Sequence, residues 1–217
     1  MTKPKLLDLM CGAGDCSVGY ARAGFDVEGV DIYPNKFYPY VFYEQEARYF
    51  LERNWQKYDA FAASPPCQGH STTKYLHAGH ETIPDQVGST REALLLTGKP
   101  WIMENVPEAP LLNPVTLCGA MKEIQELYPL RVYRHRNFES NIALIQPEHV
   151  KHPEPVMLNG KTFEPDRWVT VAGHFGGIEL AKVAMGIDWI QSGKLMAQAI
   201  PPAYTEHLGR QLMAQFT

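Results

Sequence analysis

The strongest constraint on this chain lies near its start. An apolar run from Lys5 to Met10 (KLLDLM) enters Cys11-Gly12-Ala13-Gly14-Asp15, a turn that needs little side chain. A helical stretch follows from about Cys16 to Ala23, and Gly24 stands where a helix C-terminus takes a left-handed residue. Phe25 to Asp31 (FDVEGVD) alternates apolar with other residues and ends in an acid, which reads as a second strand. Strand, glycine turn, helix, strand is one βαβ unit, so the two strands run parallel and the crossover is right-handed. An α/β fold follows, with a mostly parallel sheet.

The later segments continue the pattern. Pro34 and Pro39 break up the next stretch, and Ala47 to Trp55 reads as a helix. Tyr58 to Ser64 (YDAFAAS) is a third strand, halted by Pro65-Pro66. A long loop from Cys67 to about Gly88 follows, of the kind that in a compact domain usually carries function. Ser89-x-x-Glu92 has the form of a capping box, opening a helix that Gly98 closes. Trp101 to Glu104 (WIME) is a fourth strand, ending at Asn105-Val106-Pro107. From Leu111 to Arg167 the chain is proline-spotted, with strand-like pieces at Val115 to Cys118 and Arg131 to Tyr133. Order returns with a strand at Trp168 to Ala172, a helix at Gly193 to Ala199 and a last helix at Thr205 to Gln215, opened by Pro201-Pro202. With no repeat or linker, residues 1–217 read as one domain, with a small irregular lobe at about 139–167.

Composition excludes several classes. The apolar run at the N-terminus is too short for a signal peptide or a membrane span, which makes the cytoplasm the expected location and membranes no partner. Cys11, Cys16, Cys67 and Cys118 form no C-x-x-C pair, and no Cys/His pairing has zinc-finger spacing, so no metal is expected. His70, His77 and His80 share the long loop but lack an acid or cysteine to order them as ligands. The net charge of −4 counts mildly against nucleic acid as partner, although Arg131 to Arg136 packs three arginines and a histidine into six residues.

Four constellations could carry chemistry. Asp8 to Gly14, followed by Asp31, is a glycine turn with an acid about 20 residues on, the arrangement that holds a ribose in nucleoside-binding βαβ units. Ser17 takes the place of a third glycine, which favours a ligand without pyrophosphate over a dinucleotide. In Ser64-Pro65-Pro66-Cys67-Gln68-Gly69, two prolines fix a thiol at a strand end, where open parallel sheets bind ligands. Glu104-Asn105-Val106 places a carboxylate at the same edge, where partial desolvation would let it hold a proton near neutrality. Tyr133-Arg134-His135-Arg136 points two guanidinium groups to one side of an extended segment. Each has a plain alternative: a tight turn, a buried cysteine, a loop cap, a solvated basic strand.

Order and spacing together resemble the DNA cytosine-5 methyltransferases. DLMCGAG resembles that family's D-L-F-x-G-x-G cofactor turn, SPPCQG its P-C-Q motif, MENVP its E-N-V motif, RHR its paired arginines and QAIPPAYTEHLG its closing segment. The match touches residues from about 6 to 210, and the R-H-R-x-F-E-S-N run is similar to short, often phage-associated members.

The resemblance implies a Rossmann-like S-adenosylmethionine-dependent methyltransferase fold with helices on both faces, acting on double-stranded DNA. It implies base flipping, addition of Cys67 to carbon 6 of cytosine, proton donation from Glu104, and Arg136 holding the base with Arg134 in support. Asp8, Met10, Gly12, Gly14, Asp31, Glu46 and Pro65 would bind S-adenosylmethionine: Asp31 at the ribose, Glu46 at the adenine end, the two glycines beside the methionine part. The chain departs from the family at Met10 (an aromatic position), Asp15 (often glycine), Val132 (a glutamine) and QAIPP, which lacks G-N-x-V. Only 61 residues separate Arg136 from Gln198, leaving about thirty for a recognition lobe. A short target sequence, or a partner that supplies specificity, is therefore expected. Transfer to RNA, transfer of a modified group, and a silent nucleic-acid-binding module remain as alternatives.

Overall fold

The computed structural model describes residues 2–67, 85–149, 151–152, 156–157 and 168–216. Seven strands form one sheet in the order β3-β2-β1-β4-β5-β7-β6: β1 (Lys5–Leu9), β2 (Asp26–Asp31), β3 (Val41–Glu44), β4 (Ala60–Ala63), β5 (Trp101–Asn105), β6 (Val115–Leu117) and β7 (Arg136–Ser140). The first five pair in parallel, whereas β7 runs antiparallel to both β5 and β6. The helices are α1 (Asp15–Arg22), α2 (Ala47–Asn54), α3 (Val87–Leu96), α4 (Lys122–Leu127), α5 (Ile178–Met185), α6 (Gly193–Gln198) and α7 (Pro202–Met213). Two short strands, β8 (Val156–Met157) and β9 (Val169–Thr170), pair in parallel apart from the main sheet.

The alternation of strand side chains explains the layering. Leu6, Ala62 and Ile102 enter a core shared with α1 and α4–α7, while Leu7, Leu9, Phe61, Trp101 and Met103 enter a second core shared with α2 and α3. Successive residues face opposite sides of a strand, so two separate apolar cores require helices on both faces of the sheet. Helices α1 and α7 pack closely enough that a Cβ on Gly19 would stand 2.0 Å from the Thr205 hydroxyl and 2.2 Å from the Pro202 carbonyl. This contact seats the C-terminal helix against the first βαβ unit, secured by the Thr205 hydroxyl donating to the Cys16 carbonyl at 2.9 Å.

Several boundaries differ from the sequence reading. Strand β3 was hidden by its partly exposed VFYE pattern and by the prolines before it; pairing with β2 creates it. The strand expected at Arg131 to Tyr133 reduces to a single bridge, Val132 to Val169, and the extended pairing begins at Arg136 instead. Strand β7 thereby draws residues 139–140 out of the supposed irregular lobe and into the main sheet. Helix α3 starts at Val87, whose N–H donates to the Asp85 carboxylate at 2.9 Å, so the Ser89/Glu92 capping box does not form. Gly98, at φ +64, does close that helix. Helix α4 stands in the stretch that read as irregular, and α5, between the strand and helix expected in the tail, was not foreseen; it is bracketed by Gly177 and Gly186, both in left-handed conformation. Residues 68–84, most of the long loop with its three histidines, lie outside the described residues, as do residues 153–155 and 158–167 of the lobe.

Candidate active site

The strand order creates the site. The chain leaves β1 toward β2 and β3, then crosses back to place β4 on the other side of β1. Such a reversal opens a crevice beyond the carboxyl ends of β1 and β4. The glycine turn and Ser64 to Cys67 both emerge there. Glu104 and Asn105 end β5 at the same edge, and β7, being antiparallel, starts there with Arg136. Four elements that are far apart in sequence thus deliver their functional residues to one place.

On the reacting side, Arg136 Nε lies 3.1 Å from Glu104 Oε1. Glu104 is only 8% exposed. Burial pushes its carboxyl up to about 7, Asp15 pushes the same way, and Arg136, Arg134 and a hydrogen bond from Ser64 oppose the shift. Cys67 is half-buried and its sulfur is free of any disulfide. Burial raises its thiol above the usual range, the Glu104 charge adds to this, and Arg136 and Arg134 pull it back. Thiol, carboxyl and guanidinium groups therefore share one electrostatic environment. A protonated Glu104 removes the opposing charge and leaves the cations to favour a thiolate.

Arg134 has a different position from Arg136. Its guanidinium donates to the carbonyls of Val171 (2.6 Å) and Ala197, and burial together with the Arg136 charge lowers its pKa to about 9. It ties the residue after β9 and helix α6 to the segment that leads into β7. Tyr204 completes the tie by donating to the Arg134 carbonyl at 2.6 Å.

The sequence reading assigned no role to Asn105, yet this side chain is fully buried and its amide donates to the Pro65 carbonyl at 2.9 Å. Its own carbonyl accepts from the Val106 N–H at 2.9 Å. The two prolines stiffen the chain before Cys67, and Asn105 fixes where that stiff segment sits. The signal was in plain sight, a polar residue directly after the acid of a buried strand.

The neighbouring cradle is built from backbone. Gly12, at φ +52, has no heavy atom of the described residues within 4 Å of where a Cβ would stand, so among them open space lies against its backbone. Its N–H donates to Asp31 Oδ2 at 3.0 Å and Asn35 donates to its carbonyl at 3.0 Å. The other Asp31 oxygen accepts from the Tyr33 N–H at 3.1 Å. Ile32 and Tyr33 beside it are 52% and 74% exposed, unusual for large apolar side chains at a strand end. Met10 adopts φ 56, a left-handed conformation unusual outside glycine that marks the turn as a constrained site.

Asp8 is fully buried, accepts from the Ser17 hydroxyl at 2.5 Å, and its other oxygen has no partner among the described residues. Burial pushes its carboxyl up to about 7. Asp15 accepts from the Ile200 N–H at 2.6 Å and Trp189 donates to the Ala13 carbonyl at 3.0 Å, so the closing segment is anchored on the turn itself. Asp15 thereby has a use that glycine could not supply.

Two residues read as ligand contacts also have structural roles. A Cβ on Gly14 would meet Pro39 at 2.7 Å and Tyr38 at 3.0 Å, so the close packing at the start of α1 leaves no space for a side chain there. The Glu46 carboxylate caps α2, accepting from the Tyr49 N–H at 2.6 Å and from Arg48 at 3.4 Å. Capping occupies it in a way its spacing from Asp31 could not reveal. Pro65 is buried two residues before Cys67, where its carbonyl receives Asn105.

Comparison with solved structures gives the same architecture over nearly the whole chain. A DNA modification methyltransferase encoded within an Escherichia coli prophage superposes with a TM-score of 0.61 at 13% identity, with 99% of each chain covered. The fold is the Rossmann-like one that this methyltransferase structure has. Spodoptera frugiperda Dnmt2 matches with a TM-score of 0.61 at 12% identity, covering 97% of this chain and 100% of that one. The Schizosaccharomyces pombe Dnmt2 methyltransferase matches with a TM-score of 0.56 at 11% identity, covering 100% of both. The resemblance to cytosine-5 methyltransferases carried by the motifs therefore extends to the backbone. No family model and no curated protein matches the sequence itself. Among the described residues no helix is long and apolar enough to cross a membrane.

Proposed function

We propose that this chain methylates carbon 5 of cytosine in DNA, with Cys67 as nucleophile and S-adenosylmethionine as methyl donor. The observation that carries the reading is the meeting of Cys67, Glu104 and Arg136 at the switch point, next to an open glycine turn.

The cradle fits the cofactor. Open space at Gly12 suits the methionine part, the Asp31 oxygens keep lone pairs for ribose hydroxyls, and exposed Ile32 and Tyr33 offer apolar surface to an adenine. When bound there, the cofactor supplies an electrophilic methyl group. The protein's residues do the rest.

Flipping the base out costs roughly a few kcal/mol of stacking and pairing. Arg136 holds the base O2, and the Cys67 thiolate adds to carbon 6. Glu104, whose carboxyl lies at about 7 and so holds a proton near neutrality, donates it to the ring N3. This neutralises the charge that addition pushes onto the ring and makes carbon 5 nucleophilic. After transfer, a solvent water takes the carbon 5 proton, elimination restores the double bond and expels the Cys67 thiolate, and N3 returns its proton to Glu104. Arg134 and Asn105 act as positioning residues, for Arg136 and for the Pro65–Cys67 segment.

Incubation with methyl-labelled cofactor and either duplex DNA or transfer RNA tests the reading, with nucleoside analysis by mass spectrometry. The expected product is 5-methylcytosine in DNA. Label in RNA alone, or on another base atom, overturns it.

A further inference from the structure

Where β6 ends and β7 begins, beside the edge that carries Arg136, the fold brings together four residues that sequence spacing kept apart. Cys118 follows β6, His135 precedes β7, and His149 and His152 lie on the segment after β7. Their donor atoms all fall within 4.8 Å of one another. Cys118 Sγ is 3.5 Å from His152 Nε2, and His135 Nε2 is 2.9 Å from His149 Nε2. In the chain they are 17, 14 and 3 positions apart, which matches no finger-type spacing and explains why no metal was expected.

From this geometry we infer that Cys118, His135, His149 and His152 form a structural zinc site. One sulfur and three imidazole nitrogens, with no carboxylate in the cluster, is a donor set that selects zinc over magnesium or calcium. In a tetrahedral site with Zn–S near ~2.3 Å and Zn–N near ~2.0–2.1 Å, neighbouring donors stand roughly 3.3–3.7 Å apart. The observed separations reach that arrangement with donor shifts of about 1 Å or less.

The surroundings suit a preformed site. Cys118 is fully buried, where its thiol also contacts the Tyr133 carbonyl at 3.5 Å. The His152 ring stacks on Tyr133 at 3.7 Å and 8°, and Tyr133 stacks on Trp168 at 4.4 Å and 3°, so that imidazole is held in orientation. Exposed His149 gives the ion a way in from solvent. Four protein ligands leave no open position, which makes the site a staple and not a second reaction centre. It pins the residues entering the 153–167 segment to His135, which sits between Arg134 and Arg136. The inference rests on the cluster alone and stands whether or not the methyltransferase reading does.

The test uses untagged full-length protein from zinc-supplemented medium, dialysed and analysed for metal, and then the apo protein titrated with Co2+. One zinc per chain is expected. Co2+ should give the intense visible bands of tetrahedral coordination together with thiolate-to-cobalt charge transfer. Cys118→Ser removes the charge-transfer band, and His149→Ala, at an exposed position that keeps the fold by circular dichroism, weakens binding by more than ~100-fold. His174→Ala, outside the cluster, leaves binding unchanged. Protein without stoichiometric metal, binding that survives both cluster substitutions, binding lost on replacing His70, His77 and His80 instead, or a Co2+ spectrum without thiolate charge transfer would each overturn the site.

Discussion

Replacing Asn105 by alanine separates positioning from chemistry. The substitution deletes the 2.9 Å bond to the Pro65 carbonyl and the 2.9 Å bond from the Val106 N–H, both made by a fully buried side chain. Each of the two orphaned groups in a dry site costs about 1–3 kcal/mol, so a loss of about 2–6 kcal/mol follows. At ~2–4 °C per kcal/mol for a chain of this size, Tm should fall by about 4–24 °C. The catalytic effect is larger, because a shift of about 1 Å in a reacting group costs on the order of 100-fold. Methyl-transfer kinetics well below the lowered Tm should therefore show kcat reduced by roughly that factor. KM for the cofactor should barely change, since Asn105 is bonded to Pro65 and Val106 and not to the Gly12–Asp31 cradle. Asn105→Asp keeps an acceptor for Val106, loses the donor to Pro65 and adds a charge beside Glu104, so it should be at least as inactive. An Asn105→Ala enzyme with parental kcat, or one impaired only in cofactor KM, would refute the positioning argument.

Other consequences follow from the same contacts. Gly19→Ala should lower Tm in a thermal melt by an amount equivalent to about 1–3 kcal/mol or more, because backbone atoms of α7 stand where its methyl group would go. Gly88→Ala, with no described atom near its added methyl group, should be neutral or slightly stabilising. Glu104 and Asp8 both have folded-state pKa values raised to about 7, from 4.5 and 3.8. Their stabilising protonation is complete below the unfolded values and lost as pH rises through about 7. The Tm of the cofactor-free protein should consequently rise on acidification from about pH 8 to about pH 5.5, and Asp8→Asn should flatten that slope. The rate should decline as pH rises through about 7, where Glu104 loses its proton, and Glu104→Gln should be slow and lack that limb.

The first βαβ unit was legible because apolar runs, a glycine turn and a terminal acid all agree locally. The ends of β4 and β5 were legible for a related reason: Pro65-Pro66 and Glu104-Asn105 interrupt runs that are otherwise apolar. Strand β7 was not, because RNFES carries polar residues that only distant partners satisfy. Glu139 is buried against Arg91 at 2.5 Å, and Asn137 accepts from the Thr116 hydroxyl at 2.7 Å. The capping pattern at Ser89 lost to Asp85, which reaches the helix start first. Gly14 and Glu46 look like ligand contacts in the sequence, and become packing and capping groups once Tyr38, Pro39 and the start of α2 are in place. The histidine cluster depends wholly on contacts between distant segments.

The most direct test of the account is trapping on duplex DNA that contains 5-fluorocytosine. Fluorine at carbon 5 blocks the final proton loss, so the enzyme should remain joined to the DNA after methyl transfer. Peptide mapping should place the bond at Cys67, and Cys67→Ser should form no adduct. Methylation of ordinary cytosine at carbon 5 with no trapped complex, or an adduct on a different residue, would contradict the mechanism.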